Sequence, residues 1–328
     1  MILTVTPNAA VDKTYRIEDF RLNRVNRPSS GTTVAGGKGV NLARVYRTLG
    51  GQAVVTGFLG GINGRIMTRA LQAEGADDAF VHVRGESRIC IAVIDPNNGS
   101  QTEVNESGPE IPPRAIRALK RRVESLLADG RFSLLTLNGS LPPAAPAELF
   151  ADFIEIARRA GVRAVLDTSG DALREGAAAR PWMVKPNRFE LESLTGRALT
   201  SEADVLAGAR TLLESGVCMV AVTLGEEGAY LITGRGAWRS RPPRIEFASA
   251  VASGDSFLAA LLWAWERGGL AGDGDYGPEE EARALRLATG AGAANAAVIG
   301  AGFCSRESIL AAAANSEVRS LQMPGDPG

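Results

Sequence analysis

From Pro113 to Thr223 apolar stretches of helical length alternate with shorter apolar runs of strand length, and this limits the fold more than any other feature. The reading is helix 113–127, strand 133–138, helix 147–160, strand 163–167, strand 182–185, helix 188–195, helix 202–215 and strand 217–223. Strands separated by helices run parallel, and a parallel sheet needs helices over both faces because both faces are apolar. Ile2 to Thr6 reads as a further buried strand, 52–58 as another, and Ile62 to Glu74 as a helix stopped by Gly75. The expected fold is α/β, a doubly wound, mostly parallel sheet flanked by helices.

Two segments break the alternation. After Asp12 a polar stretch runs through Arg24 and Arg27 with too little apolar periodicity for a core element. Phe80–Val83, Ile89–Ile94 and Gln101–Val104 are short strands separated by turn residues at Gly85-Glu86 and Pro96-Asn97-Asn98-Gly99. Together these predict a small β-sheet lid, with segments of about 12–33 and 85–107 inserted into a domain spanning 1–315. Strands at Ala229–Ile232 and near Trp238 precede the helix after Asp255, and an alanine-rich helix is expected over 279–299. Residues 316–328 read as a tail, disordered from Met323 onward.

Composition narrows the chemistry. A net charge of −1 gives no case for nucleic acid or an anionic membrane. No apolar run approaches the ~20 residues of a membrane span. The N-terminus enters a strand directly, so a cytoplasmic location is the default. Cys90, Cys218 and Cys304 are too scattered for a zinc-knuckle spacing or a disulfide framework. The single histidine, His82, reads as an ordinary strand residue, so any general base should be a carboxylate.

One turn stands out chemically. Ala252-Ser253-Gly254-Asp255-Ser256 leads into an apolar run from Phe257 to Trp265. The first amides of a helix lack intrahelical acceptors and carry partial positive charge, which suits a phosphoryl group. Asp255 could take the proton of an attacking hydroxyl while the turn holds the transferring phosphate. Ser and Asp also cap helices, and taken alone the turn fits that role better.

Other turns fall in the same frame. Gly36-Gly37-Lys38-Gly39 is not a P-loop, because Gly39 stands where a magnesium-binding Ser or Thr belongs. It reads as a glycine turn admitting a polyol to the backbone, with Lys38 and Asn41 at the following helix start. Gly290-Ala291-Gly292 lacks the last glycine of a dinucleotide fingerprint and reads as close helix packing, with a flat base as an alternative neighbour. Asn138-Gly139-Ser140-Leu141-Pro142 and Asp167-Thr168-Ser169-Gly170 lie at carboxyl ends of expected strands, where open α/β sheets bind ligands. Asn187 and Glu190 lie three apart after Lys185-Pro186, a spacing that suits either a hydrated magnesium or a capping box. Thr223-Leu224-Gly225-Glu226-Glu227-Gly228 ends a strand in a turn suited to nucleotide phosphates or ribose.

In this order the motifs resemble the ribokinase-like, phosphofructokinase-B carbohydrate kinase family, most closely its 1-phosphofructokinase and tagatose-6-phosphate kinase branch. Val25-Asn26-Arg27 and Thr102-Glu103-Val104-Asn105-Glu106 are similar to that branch too, and the resemblance covers roughly residues 1–310. It implies a ribokinase-like domain with a β-sheet lid, often used for dimerisation, and ATP-dependent phosphorylation of a sugar hydroxyl. By the same resemblance Asp255 is the base, and the backbone of Ala252, Ser253 and Gly254 is the anion hole. Asp12, Gly37 and Asn41 contact sugar hydroxyls. Asn187 and Glu190 are associated with magnesium through water. Lys185, Asn187, Thr223, Gly225 and Gly228 belong to the nucleotide site, with Asn295 near the adenine.

A sugar that already carries a phosphate needs several donors around the dianion. Arg27, Lys38, Arg88 and Ser140 supply them, so the expected acceptor is a hexose phosphate: fructose 1-phosphate or tagatose 6-phosphate ahead of fructose 6-phosphate. The rivals are a kinase of an unphosphorylated sugar or nucleoside, which this set argues against, and a non-catalytic sugar-phosphate sensor, which would have lost the base or the magnesium motif. Two departures from the family pattern remain. Ala252 replaces a glycine and resists φ > 0, so a slightly altered turn is expected. Phe247-Ala248-Ser249-Ala250-Val251 replaces polar residues, leaving little basis for a monovalent-cation site.

Overall fold

The computed structural model describes residues 1–267 and 277–322. β1 (Ile2–Thr6) is buried along its whole length inside the main sheet, with a parallel strand on either side. β2 (Ala10–Arg16) and β3 (Ser30–Gly36) leave that sheet and pair antiparallel. α1 (Lys38–Thr48) returns the chain to β4 (Ala53–Gly60), which pairs parallel with β1 and continues into α2 (Gly61–Ala73). Two short strands, β5 (Asp77–Asp78) and β6 (Val81–Val83), extend the β4 edge. β7 (Arg88–Asp95) and β8 (Ser100–Asn105) then complete a second, four-stranded sheet in the order β3-β2-β7-β8.

Alternation follows: α3 (Pro113–Ala128), β9 (Leu134–Asn138), α4 (Leu149–Arg159), β10 (Arg163–Asp167), α5 (Gly170–Ala178), β11 (Met183–Val184), α6 (Arg188–Thr195), α7 (Glu202–Glu214) and β12 (Met219–Thr223). After the hairpin of β13 (Ala229–Thr233) and β14 (Gly236–Arg241) come α8 (Ser253–Arg267), α9 (Pro278–Ala296), α10 (Arg306–Ala314) and β15 (Glu317–Leu321). The main sheet runs β15-β14-β13-β12-β11-β10-β9-β1-β4-β5, parallel from β12 to β5 and antiparallel at the β13–β15 end. One core packs α1, α8 and α9 on one face through Tyr46, Leu261, Trp265 and Leu285; the other packs α3, α4 and α7 on the opposite face through Leu119, Phe150, Phe153 and Leu212. Buried aliphatic and aromatic side chains stabilise such cores by about 1.5–3 kcal/mol each, which explains why the central strands carry almost no polar alternation. No helix among the described residues is long and apolar enough to cross a membrane.

The strand order reverses around β1: β4 lies on one side and β9 on the other. Connections from neighbouring strands therefore diverge above the carboxyl ends of β1 and β9, leaving a crevice. The second sheet is joined directly to that end, since β2 begins four residues after β1 ends.

Several expectations are corrected. The strand at 81–83 belongs to the main sheet through Phe58, Leu59 and Gly60, not to the lid. α10 was not expected as a helix, α5 was expected only as a helix of no stated length after Asp167, and β15 pairs with β14 where a tail was read from residue 316. The strand read over 182–185 narrows to two residues ahead of Pro186, and the helix read to 299 stops at Ala296. The disorder expected from Met323 lies outside the described residues. Gly290 does mark close helix packing: a Cβ there would sit 2.4 Å from the Ala313 amide nitrogen on α10.

Candidate active site

Four turns converge at the carboxyl end of the sheet. The first opens α8, where Asp255 is 6% exposed and its Oδ2 accepts a 3.0 Å hydrogen bond from Asn41 Nδ2 on α1. Burial, then the nearby Asp167 carboxylate, pushes Asp255 up to about 6, against the pull of Lys38, Asn41 and Lys185. A carboxylate that binds a proton near neutrality suits a general base.

The turn ahead of it carries strain. Ala252 has φ 63°, in the left-handed region where a side chain costs energy and glycine does not. Asn295, expected beside an adenine, is instead fully buried behind this turn. Its Nδ2 donates to Val251 O at 2.7 Å and Ser253 Oγ at 3.2 Å, and its Oδ1 accepts from Gly302 N at 2.9 Å. Ser253 also differs from expectation: its amide turns inward to Ala250 O at 3.2 Å, so the outward donors of the helix start are those of Gly254 and Asp255. A Cβ on Gly254 would lie 3.6 Å from Lys185 Nζ, which sets that ammonium over the helix end.

The second feature was not read from the sequence as a unit. Asp167, at the end of β10, is wholly buried and pairs through one oxygen, Oδ1, with Lys38 Nζ at 2.8 Å and Lys185 Nζ at 3.2 Å. Burial disfavours its charge, but the two ammonium groups outweigh that and hold Asp167 below the usual carboxylate range. Burial would likewise lower Lys38, yet Asp167, Asp255 and Glu190 hold it above the usual lysine value. Two fixed cations thus stand beside the buried Asp255. The signal was present in Asp-Thr-Ser-Gly at a strand end, but which lysines met it depended on two distant crossovers.

The third feature faces the lid. Asp12 on β2 lies so close to Gly36 that a Cβ there would sit 1.9 Å from Asp12 Oδ2. Burial lifts Asp12 to about 6, while Arg88 and the Gly37 amide oppose the rise. Gly37 has φ 99°, and a Cβ on it would meet Ala9 Cα at 3.1 Å, so the backbone approaches the strand end as only glycine allows. Arg88 Nε donates to Asn8 O at 2.9 Å, and Asn8 Nδ2 donates to Ser140 Oγ at 3.2 Å. Asn8, Arg88, Ser107 and Ser140 line one crevice of about 500 Å³. Arg27 is not drawn into this cluster; it sits exposed on the connection between β2 and β3.

On the remaining side Asn187 bridges Thr223 in parallel fashion, and the turn at 225–227 follows β12. Gly228 has φ 97°, and a Cβ there would lie 1.9 Å from Ser240 O. Gly225 has φ 59° with open space around it. Asn187 and Glu190 form a capping box: Asn187 Oδ1 accepts from Glu190 N at 2.9 Å, and Glu190 Oε2 accepts from Asn187 N at 2.8 Å. Glu190 Oε1 and the buried Asp167 Oδ2 have no hydrogen-bond partner among the described residues. Two spare carboxylate oxygens fit a hydrated magnesium held mainly by phosphates. Among the described residues no group of three or more His, Cys, Asp or Glu could hold a metal alone.

The chain is similar to known proteins over most of its length. The profile described as pfkB family carbohydrate kinase matches residues 5–308. A 1-phosphofructokinase of Rhodobacter capsulatus is 40% identical over 263 residues, 80% of this chain and 83% of its own. A 1-phosphofructokinase of Bacillus subtilis is 32% identical over 294 residues, 90% of this chain and 92% of its own. Among solved structures, Escherichia coli phosphofructokinase-2 in complex with substrates and products superposes with a TM-score of 0.85 at 27% identity, covering 95% of this chain and 98% of that one.

Proposed function

This chain belongs to the pfkB family of carbohydrate kinases, and on that premise we propose that it transfers the γ-phosphate of ATP to a hydroxyl of fructose 1-phosphate. Kinase action on a hexose phosphate follows from its 1-phosphofructokinase relatives. The observation that carries the residue assignment is the buried Asp255 at a helix start, beside Lys38 and Lys185 on a shared Asp167.

Asp255 accepts the proton of the acceptor hydroxyl as that oxygen attacks the γ-phosphorus in line. The amides of Gly254 and Asp255, with Lys185, face the charge that develops on the transferring group. Asp12, Gly37 and Asn41 orient the sugar hydroxyls. Arg88, Ser140 and Lys38 meet the phosphate already on the sugar, with Arg27 brought in only if the lid connection folds inward. Thr223, Gly225 and Gly228 carry the nucleotide. Members of this family use ATP and a divalent metal; here Glu190, Asp167 and Asn187 would hold magnesium, which when bound neutralises phosphate charge. The lid excludes water, which would otherwise compete as the acceptor. It also presents a half-exposed apolar face, the proposed surface of a homodimer; the E. coli relative has been solved in a tetrameric inhibited form.

The test is ATP consumption with magnesium against fructose 1-phosphate, fructose 6-phosphate, tagatose 6-phosphate, fructose and ribose. Fructose 1-phosphate should give the highest kcat/KM. Asp255→Asn should lower kcat by about 10²–10⁴ while still binding the sugar phosphate. Turnover confined to fructose and ribose would overturn the substrate, and near-normal turnover by Asp255→Asn would overturn the base.

A further inference from the structure

Arg44 is a charged residue in an unexpected place. It lies in mid α1 with its side chain only 7% exposed, one turn beyond Asn41. Nη1 donates to Asn41 Oδ1 at 3.2 Å and to Ala301 O at 2.7 Å; Nη2 donates to Ala35 O at 2.7 Å and Glu74 Oε1 at 3.0 Å; Nε donates to Glu74 Oε2 at 2.8 Å. All five guanidinium N–H groups are thereby used. The Phe303 ring covers its face, with the guanidinium carbon 4.6 Å from the ring centroid.

The consequence lies in what Arg44 does to Asn41. An amide presents oxygen on one side and NH₂ on the other. Because the guanidinium is donor-only, Asn41 must turn Oδ1 toward it, and Nδ2 is left facing Asp255. A second route reaches the same helix start. Arg44 holds Ala301 O, the next residue's amide (Gly302 N) bonds Asn295 Oδ1, and Asn295 Nδ2 holds Val251 O and Ser253 Oγ.

We propose that Arg44 is a positioning residue for phosphoryl transfer: it fixes the Asn41 amide that orients the base, and it braces the turn at 251–253 through Asn295. The inference rests on Asp255 being the base. Asp255 is also faced by Asp167 from β10, Lys38 from α1, Lys185 from after β11 and Asp12 from β2; Arg44 hydrogen-bonds none of these, but its charge holds Asp12 down directly, an effect that Arg44→Lys keeps. Losing the oriented Asn41 donor therefore leaves the base with one less bond to its charged form, and its protonation moves to higher pH.

The test is kcat, KM and the pH profile of kcat/KM for fructose 1-phosphate with ATP and magnesium. It compares wild type, Arg44→Met, Arg44→Lys, Asn41→Ala and the Arg44→Met/Asn41→Ala double variant. One substrate serves throughout, so its own titration is common to all. Arg44→Met should lower kcat about 10- to 100-fold, with smaller changes in KM, and move the acid limb up by about half a unit. Arg44→Lys keeps the charge but not the fork, so the limb should move with it too. In the Asn41→Ala background Arg44→Met should move the limb less than it does with Asn41 present, the remainder coming from loss of the Arg44 charge near Asp12. An unmoved limb in Arg44→Met, or full restoration by Arg44→Lys, would overturn the proposal. Should Arg44→Met fail to fold, the lysine variant is judged alone by the same criterion. Failure of the base assignment shows separately, as retained turnover by Asp255→Asn.

Discussion

At the residue scale, Asp255 sits where its charge is disfavoured, and as the proposed base it would set the pH dependence of the reaction. Burial and Asp167 raise it to about 6, so the folded enzyme binds this proton more tightly than an exposed aspartate would. A base must be ionised, hence kcat/KM should be flat above neutrality and fall as pH drops through about 6; an acid limb near 4 would mean that Asp255 is not the group titrating. Asp12, also raised to about 6 by burial, contributes a second proton in the same range, so the limb should be steeper than one ionisation. Ala252 is the other informative residue. At φ 63° its methyl strains the turn, so Ala252→Gly should raise stability by about 0.5–1 kcal/mol, measured by urea unfolding. A loss of stability would mean that the alanine makes packing contacts worth more than the strain. The substitution was legible from the sequence; the sign of φ needed the structure.

At the element scale, helices with a clear apolar stripe were readable and those made of small residues were not. α3 and α4 bury Leu119, Val123, Phe150 and Phe153 at helical spacing. α5 and α10 consist largely of alanine, glycine and charge, so they show no contrast until a neighbour covers them. β15 is an edge strand with Glu317, Arg319 and Ser320 exposed, and nothing in its five residues distinguishes it from a tail. α9 shows an energetic cost of its own. Glu281, in its first turn, is 2% exposed and pushed up to about 7 by burial, although Thr233 and Arg235 pull it down. Since its folded value lies above the unfolded one, stability falls as pH rises from about 4.5 to 7 and then levels. Glu281→Gln should therefore raise Tm by roughly 2 °C at pH 8, with the gain shrinking toward pH 4.5. A lower Tm at pH 8 would show that the carboxylate is stabilising.

At the scale of the whole molecule, the lid is a sheet with two unlike faces. Strand alternation puts Asp12 and Cys90 on one side, and Lys13, Ile91, Tyr15, Val93 and Val104 on the other, with Val104 60% exposed. If that face pairs two copies, Val104→Arg should shift the protein from dimer to monomer in sedimentation without lowering Tm by more than about 2 °C. An unchanged mass would remove the lid as the interface.

The motifs, their order and the α/β alternation were all written along the chain, because turns, caps and apolar periods are local properties. The sequence alone was enough to determine the fold class and the kinase reading, and it pointed to Asp255 as the base now proposed. What it could not determine was which distant residues meet. Lys38, Asp167 and Lys185 come together from three separate elements, Asn295 turns inward to brace a strained turn, and Arg44 reaches Asn41, Ala35 and Ala301 at once. Those pairings follow from strand order, and strand order is set by how two helical layers bury their apolar faces against one sheet, a property no single segment carries.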